Sequence, residues 1–169
     1  METRSPSPSS GLRRPIHSGS FHGMPPNTKH HRKRHRHHKI LPPDKNVVYS
    51  VISIGRGRGL SDDYILTALM VGLQESRLNN LDHGDGSSVG WRQEVAKYYG
   101  SVASRMNVPA SVNRFYDELT RTPRLNRSLG HWGQAVQRSG FPDAYDPHLT
   151  EARQILERFD ASRQSTASR

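Results

Sequence analysis

The sequence predicts a mainly α-helical domain that follows a basic tail. Beyond residue 45, apolar residues recur at spacings of three and four, which is the period of a helix with a buried face. No pair of alternating apolar segments is joined by the turn residues that close a β-hairpin. The charge is uneven, because residues 1–45 hold ten Lys and Arg residues against only Glu2 and Asp44. They therefore carry +8 of the formal net charge of +10.

These features divide the 169 residues into one domain and two tails. We expect residues 1–45, a His- and Arg-rich segment, to be disordered, because they hold too few large apolar residues to offset chain entropy. Residues 46–160 are enough for one small hydrophobic core. Residues 161–169 are mostly small and polar, and we expect a second disordered tail there.

Some classes of protein and site are excluded by composition. The chain has no cysteine, which excludes disulfides, thiolate catalysis and cysteine-ligated zinc. The first residues contain no apolar core of a Sec-type signal peptide. No apolar run approaches the roughly 20 residues that span a bilayer.

Two helices are expected at the start of the domain. Residues 46–56 are rich in β-branched side chains, so a strand is a fair local prediction, but their 3-4 apolar spacing favours a helix ended by the glycines at 55–59. Ser61 then suits an N-cap, with Asp62 and Asp63 in the first turn of a helix to about Ser76. Two opposite apolar stripes indicate a core helix. The first stripe holds Ile65, Leu66, Leu69, Met70 and Leu73, and the second holds Tyr64, Ala68, Val71, Glu75 and Leu78.

Four more helices are expected further along the chain. Their ranges are 91–99, stopped by Gly100, then 109–120, then 131–138, and finally 149–159. The helix at 109–120 should bury Val112, Phe115, Tyr116 and Leu119. The helix at 149–159 should bury Ala152, Ile155, Leu156 and Phe159.

Glu75 is the candidate catalytic residue. A single glutamate in a helix is usually a structural or solvated charge, because glutamate is a good helix former. This one, however, is the charged member of an otherwise apolar stripe, and it lies in the last turn, just before a polar loop that carries Asp82 and Asp85. Desolvation and the negative end of the helix dipole both favour the protonated carboxyl that a general acid needs.

Four ordered segments of the chain resemble a known family. Gln74-Glu75-Ser76, followed by Gly90-Trp91-Arg92-Gln93, is similar to the Glu-Ser pair and the Gly-x-x-Gln segment of soluble lytic transglycosylases and goose-type lysozymes, which share the lysozyme-like fold. Segments 73–81, 85–94, 113–116 and 135–145 resemble actinobacterial and actinophage tail-associated members more closely. The resemblance covers roughly residues 46–145 and implies a lysozyme-like helical domain.

The resemblance implies cleavage of the β-1,4 bond between N-acetylmuramic acid and N-acetylglucosamine in peptidoglycan glycan strands. Glu75 would protonate the leaving oxygen and then act as base, either towards the muramoyl 6-hydroxyl or towards water. Lytic transglycosylases need only one carboxylate, because the acetamido group of the substrate stabilises the charged sugar centre, and we expect no cofactor or metal. Asp82 and Asp85 are the candidates for a second carboxylate, or else they are turn residues of the Asp-His-Gly-Asp-Gly run.

The same resemblance implies substrate contacts around Glu75. Ser76 and Gly90 would shape sugar subsites, and the Gln93 side chain offers both a donor and an acceptor. Trp91 would either stack on a sugar or pack in the core. Arg92 departs from the family, where an apolar residue is usual. Residues 134–145 would form a cleft wall or cap the core, with Gln137 and Tyr145 as contacts, and either Tyr145 or Tyr116 would replace the terminal tyrosine of the family.

The basic run at residues 29–39 suggests further partners. It would bind nucleic acid without sequence preference, bind an anionic cell-wall polymer or membrane surface, or only add solubility. Three functions therefore follow as hypotheses: a peptidoglycan-cleaving enzyme, a non-catalytic structural or wall-binding virion component, and a nucleic-acid-binding protein. We expect a monomer or a virion component that works outside the cell, at the wall or in a virion.

Overall fold

The computed structural model describes residues 41–138 and 140–167, and it confirms a mainly α-helical domain. The tail at residues 1–40, with its basic run, lies outside the described residues. The helices are α1 (Lys45–Gly57), α2 (Asp62–Ser76), α3 (Ala96–Tyr99), α4 (Val102–Met106), α5 (Val108–Arg121), α6 (Leu129–Gln137) and α7 (Leu149–Ala167), with 3-10 turns at Pro142–Ala144 and Asp146–His148.

α1 forms where both a strand and a helix were locally plausible, and the helical interpretation is confirmed. The carboxylate of Asp44 caps it by accepting from the backbone N–H of Asn46 at 2.8 Å, so the helix includes Lys45, which was assigned to the tail. Val47, Val51 and Ile52 lie on one buried face, as a 3.6-residue period requires. Burial of this face against α2 and α5 selects the helix over the strand.

α2 is the core helix of the domain, as predicted. Every residue from Ile65 to Leu73 is buried. Arg77 ends the helix in the left-handed region with φ of 58°, and the N–H of Leu78 returns to the carbonyl of Gly72 at 2.8 Å. Gly72 permits this return, because a Cβ at that position would lie 2.3 Å from the Leu78 side chain and 3.0 Å from the Trp91 ring.

α1, α5, α6 and α7 all pack against α2. α5 buries the four side chains predicted to face inward, and α7 buries Ala152, Ile155 and Leu156, with Phe159 partly buried at the edge. At the start of α6 the indole N–H of Trp132 donates to the carbonyl of Thr122 at 2.7 Å, which fixes this helix against the end of α5. These four helices thus surround α2, whose last turn carries Glu75.

The expected helix over 91–99 is wrong for most of its length. Val89 and Glu94 instead exchange two backbone hydrogen bonds across a tight turn, in which Gln93 has φ of 54°, and only Ala96–Tyr99 is helical. The reason is tertiary. The carbonyls of Trp91, Arg92 and Glu94 accept from the side chains of Ser76, Gln137 and Arg105, respectively, and so are not available to a helix.

The last helix does not end at Phe159. α7 continues to Ala167, so residues 161–167, which were expected to be disordered, are helical. These residues are exposed and gain no core packing. The hydroxyl of Ser162 donates to the carbonyl of Phe159, and those of Ser165 and Thr166 both donate to the carbonyl of Ser162.

Candidate functional site around Glu75

Glu75 is half-buried in the last turn of α2, and a buried tyrosine holds its carboxylate. The hydroxyl of Tyr145 donates to Glu75 Oε1 at 2.6 Å. Tyr145 is 1% exposed and joins the two 3-10 turns that precede α7. A short hydrogen bond from a buried donor to a carboxylate fixes the side chain in one orientation. The chain therefore presents one positioned carboxyl group at this end of α2.

Tyr145 and Tyr116 were alternative replacements for the terminal tyrosine of the family. Tyr116 lies in the core, where its hydroxyl donates to the carbonyl of Val51 at 2.8 Å and burial raises its pKa. Tyr145 is the one that contacts Glu75. The two tyrosines thus have separate roles, and only Tyr145 belongs to the site.

Ser76 joins α2 to the tight turn at residues 89–94. Its hydroxyl donates to the carbonyl of Trp91 at 2.6 Å and accepts from the N–H of Asn79 at 3.1 Å. The side chain is buried, so both hydrogen bonds are shielded from water. Ser76 therefore positions the turn next to Glu75, and its hydroxyl is already committed within the protein.

Gly90 is required by the protein's own packing. Its φ is 86°, its N–H donates to the carbonyl of Leu81 at 2.6 Å, and a Cβ there would lie 2.8 Å from the carbonyl oxygen of Arg105. Within the protein, the close approach of this backbone is to Arg105. Arg105 is itself buried and donates to the carbonyls of Ser87 and Glu94, so it ties the polar loop to the turn.

Trp91 belongs to the core. It is fully buried, its indole N–H donates to the hydroxyl of Ser111 at 2.9 Å, and its ring meets that of Phe115 edge-on with centroids 5.7 Å apart. A ring in this position offers no face for a sugar to stack on. Stacking on a sugar, one of the two expectations for Trp91, is therefore wrong.

Gln93 and Gln137 border one cavity of about 240 Å³. Gln93 Nε2 donates to the carbonyls of Gly90 at 3.1 Å and His83 at 3.4 Å, which holds the side chain between the turn and the polar loop. Gln137 Nε2 donates to the carbonyl of Arg92 at 2.9 Å, and its Oε1 accepts from the Arg92 guanidinium at 3.2 Å. Both amides are half-buried at the cavity wall.

A buried charge network supports this wall, and the sequence did not predict it. Arg92 pairs with Glu94 at 2.7 Å and with Glu118 at 2.9 Å, and Arg114 pairs with Glu94 at 2.7 Å. The side chains of Arg92 and Glu94 are 0% and 1% exposed. These ion pairs explain an arginine at position 92, where an apolar residue is usual in the family that the sequence resembles. The four-residue spacing of Arg114 and Glu118, on one face of α5, was the signal available in the sequence.

Asp82 and Asp85 behave as loop residues. The Asp82 carboxylate is 82% exposed and contacts the ring of His83 at 2.7 Å, a hydrogen bond that lowers the pKa of Asp82. The carbonyl of Asp85 accepts from the N–H of Ser88 at 3.0 Å, which closes a turn in which Gly86 has φ of 58°. The turn alternative is the one that this geometry supports.

Other described features bear on binding. A larger cavity of about 660 Å³ lies between α1 and α7, and none of the predicted site residues borders it. Within residues 41–138 and 140–167, no helix is long and apolar enough to cross a bilayer. In the same part of the chain, no group of three or more His, Asp or Glu side chains could hold a metal ion.

In comparisons with known proteins, no family model matches the chain, and no curated protein matches it.

Proposed function

We propose that the protein cleaves the glycan strands of peptidoglycan, with Glu75 as the general acid and base. The observation that carries this proposal is the 2.6 Å hydrogen bond from Tyr145 to Glu75 Oε1. It holds a half-buried carboxyl group at a helix end, beside a turn that resembles the Gly-x-x-Gln segment of lytic transglycosylases. A general acid needs a defined position within hydrogen-bond reach of the oxygen that it protonates, and this contact fixes the carboxyl group.

The chemistry needs one proton donor that later accepts a proton. Because Tyr145 occupies Oε1, we assign to Oε2 the transfer of a proton to the glycosidic oxygen as the bond to the muramoyl C1 carbon breaks. The oxygen of the nucleophile, which is the muramoyl 6-hydroxyl or water, then bonds to C1 as the carboxylate takes its proton, and the acid is restored. The substrate acetamido group stabilises the positive sugar centre between these two steps.

A one-carboxylate mechanism is supported by the positions of the other acids. Enzymes with two catalytic carboxyl groups hold them about 5 to 9.5 Å apart across the scissile bond. Asp82 is directed to His83, and both Asp82 and Asp85 are exposed on the loop. Glu94 and Glu118 are engaged by arginines. Glu75 is thus the acid that we assign to catalysis.

The test is clearing of a peptidoglycan suspension by the purified protein. Wild-type protein and the Asp85→Asn variant should clear it, whereas Glu75→Gln should not, although both changes replace a carboxylate by an amide. Mass spectrometry of the released fragments identifies the nucleophile, since a 1,6-anhydro end results from the 6-hydroxyl and a reducing end from water. A wild-type protein that binds the glycan without releasing fragments would instead favour the non-catalytic wall-binding function.

This function implies a site of action at the cell wall, reached from outside the cell or from a virion. The basic run at residues 29–39 would then bring the enzyme to anionic wall polymers. Removal of residues 1–40 should weaken binding to anionic walls at low salt and leave cleavage of soluble glycan fragments unchanged.

A further inference from the structure

Tyr98 is an exposed aromatic side chain on the cavity that Gln93 and Gln137 border. It lies on α3, is 59% exposed, and lines this cavity of about 240 Å³ together with Val95 and Arg138. An exposed ring in a concave polar site contributes little to the core. Such a ring offers an apolar face on which a sugar can lie while its hydroxyls stay solvated.

Two cations flank this ring. The ammonium of Lys97 is 5.4 Å from the centroid of Tyr98, and the guanidinium carbon of Arg138 is 5.6 Å from it. Neither cation forms an ion pair with any residue that the structure describes. Both are exposed on short elements, Lys97 in α3 and Arg138 at the left-handed end of α6. They remain available to an anion.

The carboxylates nearest the cavity are already neutralised. Glu94 pairs with Arg92 and Arg114, and Glu118 pairs with Arg92 and accepts from the hydroxyl of Tyr99 at 3.2 Å. The uncompensated charge beside Tyr98 is therefore positive, from Lys97 and from Arg138, which lines the cavity. A ligand that combines an apolar sugar face with a carboxylate matches both the ring and this charge.

The cavity is joined to the proposed catalytic residue by a short chain of hydrogen bonds. Ser76, next to Glu75, holds the carbonyl of Trp91, and Gln137 holds the carbonyl of Arg92, the following residue. Gln93 comes next in sequence and borders the cavity. The turn at residues 89–94 thus contacts Ser76 on one side and contributes Gln93 to the cavity wall on the other.

We propose that Tyr98, Lys97 and Arg138 form a subsite for a pyranose ring that carries a carboxylate-bearing substituent. The ring packs on Tyr98, and the carboxylate pairs with Arg138 and Lys97. This subsite rests on the proposed function, and it makes the enzyme selective for acidic muramoyl units over neutral polymers of N-acetylglucosamine. The carboxylate belongs either to the lactyl group of a peptide-free muramoyl residue or to the attached stem peptide.

The experiment measures binding by titration calorimetry, with Glu75→Gln as the background so that no ligand is cleaved. Three ligands are compared: a neutral oligomer of N-acetylglucosamine, a peptide-free muramoyl glycan and a peptide-bearing muramoyl glycan. Tyr98→Ala and Arg138→Gln are tested against Tyr49→Ala and Arg153→Gln, which remove a similarly exposed tyrosine on α1 and an exposed arginine on α7.

Arg138→Gln should weaken binding of the acidic glycans about fivefold at low salt, as expected for an exposed ion pair, and should leave the neutral oligomer unchanged. Tyr98→Ala should weaken all three ligands by roughly fivefold, because every ligand presents a sugar face. The two control variants should bind like their background. If Arg138→Gln weakens binding of the peptide-free glycan, the carboxylate that Arg138 binds is that of the lactyl group. If it weakens only binding of the peptide-bearing glycan, that carboxylate belongs to the stem peptide.

An equal change in affinity for acidic and neutral ligands in Arg138→Gln, no change in affinity in Tyr98→Ala, or no binding of any fragment would each overturn the subsite. The proposed function fails separately, by the cleavage test. Discrimination between acidic and neutral glycans without any cleavage would retain the subsite and reject the enzyme, whereas cleavage with unchanged binding in both variants would do the reverse.

Discussion

At the scale of single residues, the site is maintained by buried polar groups whose partners are all within the protein. Arg92 and Glu94 are almost fully buried and pair with each other, and Glu94 also pairs with Arg114. A buried ion pair adds little net stability, but removal of one partner leaves an uncompensated charge in a medium of low dielectric constant. Loss of one of these buried charges should therefore disturb the cavity wall more than loss of a charge from an exposed ion pair.

Glu94→Gln should lower the free energy of unfolding by about 3 kcal/mol, because Arg92 would lose its most buried partner. Asp117→Asn is the matched control, since Asp117 pairs with Arg58 at 2.6 Å but is 50% exposed. It should cost under about 1 kcal/mol. Urea denaturation followed by circular dichroism measures both values, and equal losses in the two variants would contradict the buried role of Glu94.

At the scale of secondary structure, the sequence predicts elements with long apolar periods and fails where side chains bind the backbone. α2 and α5 were predicted to within one or two residues, because their buried faces repeat over three turns or more. The turn at residues 89–94 was predicted as helix, since no local pattern indicates that the carbonyl of Trp91 will accept from Ser76. α4 was missed because its five residues bury only Arg105.

Some features of the candidate site could likewise be predicted from the sequence, and others required the structure. Glu75 was identifiable from the sequence, since it interrupts an apolar stripe of α2. Its partner Tyr145 was one of two candidates, and the choice required the structure, because the two residues are 70 positions apart. Gly90 was expected to shape a sugar subsite, and core packing was one of two expectations for Trp91. Their contacts within the protein are to Arg105 and Ser111, which no sequence pattern connects to them.

Ser76→Ala tests the attachment of the turn to α2. Loss of the hydroxyl would leave the carbonyl of Trp91 and the N–H of Asn79 without this partner in a buried site, which should cost about 1 to 3 kcal/mol. Ser162→Ala removes an exposed hydroxyl of α7 and should cost under roughly 0.5 kcal/mol. Thermal unfolding compares the two variants. A Ser76→Ala protein as stable as the control would show that the turn is held by other contacts.

At the scale of the whole molecule, α7 is joined to the end of α2 by an ion pair and by a polar contact next to it. Arg77, which ends α2, pairs with Glu151 at 2.7 Å, and His148 contacts the side chain of Gln74 at 2.8 Å. The hydrogen bond from Arg77 lowers the pKa of Glu151, and burial lowers that of His148. Both groups hold the start of α7 beside the helix end that carries Glu75.

The stability of this junction should depend on pH. A folded-state pKa below the unfolded value gives stability that is present above the unfolded pKa and is lost as pH falls through the folded one. The contribution of His148 should thus fall below about pH 6.5, and that of Glu151 below about pH 4.5, the ordinary values of the two groups. When the free energy of unfolding is measured from pH 7 to pH 3, its decrease with falling pH below about pH 4.5 should be smaller in Glu151→Gln than in the wild type. A slope identical to that of the wild type would contradict the assignment.

The most direct test of the account is the initial rate at which Glu75→Gln releases soluble fragments from purified peptidoglycan, compared with wild type and with Asp82→Asn. General acid and base catalysis contributes typically 10² to 10⁴ in rate. The Glu75→Gln rate should therefore fall by at least about a hundredfold, with an unchanged circular dichroism spectrum, while Asp82→Asn retains the wild-type rate. Fragment release by Glu75→Gln at the wild-type rate would contradict the claim that Glu75 is the catalytic acid.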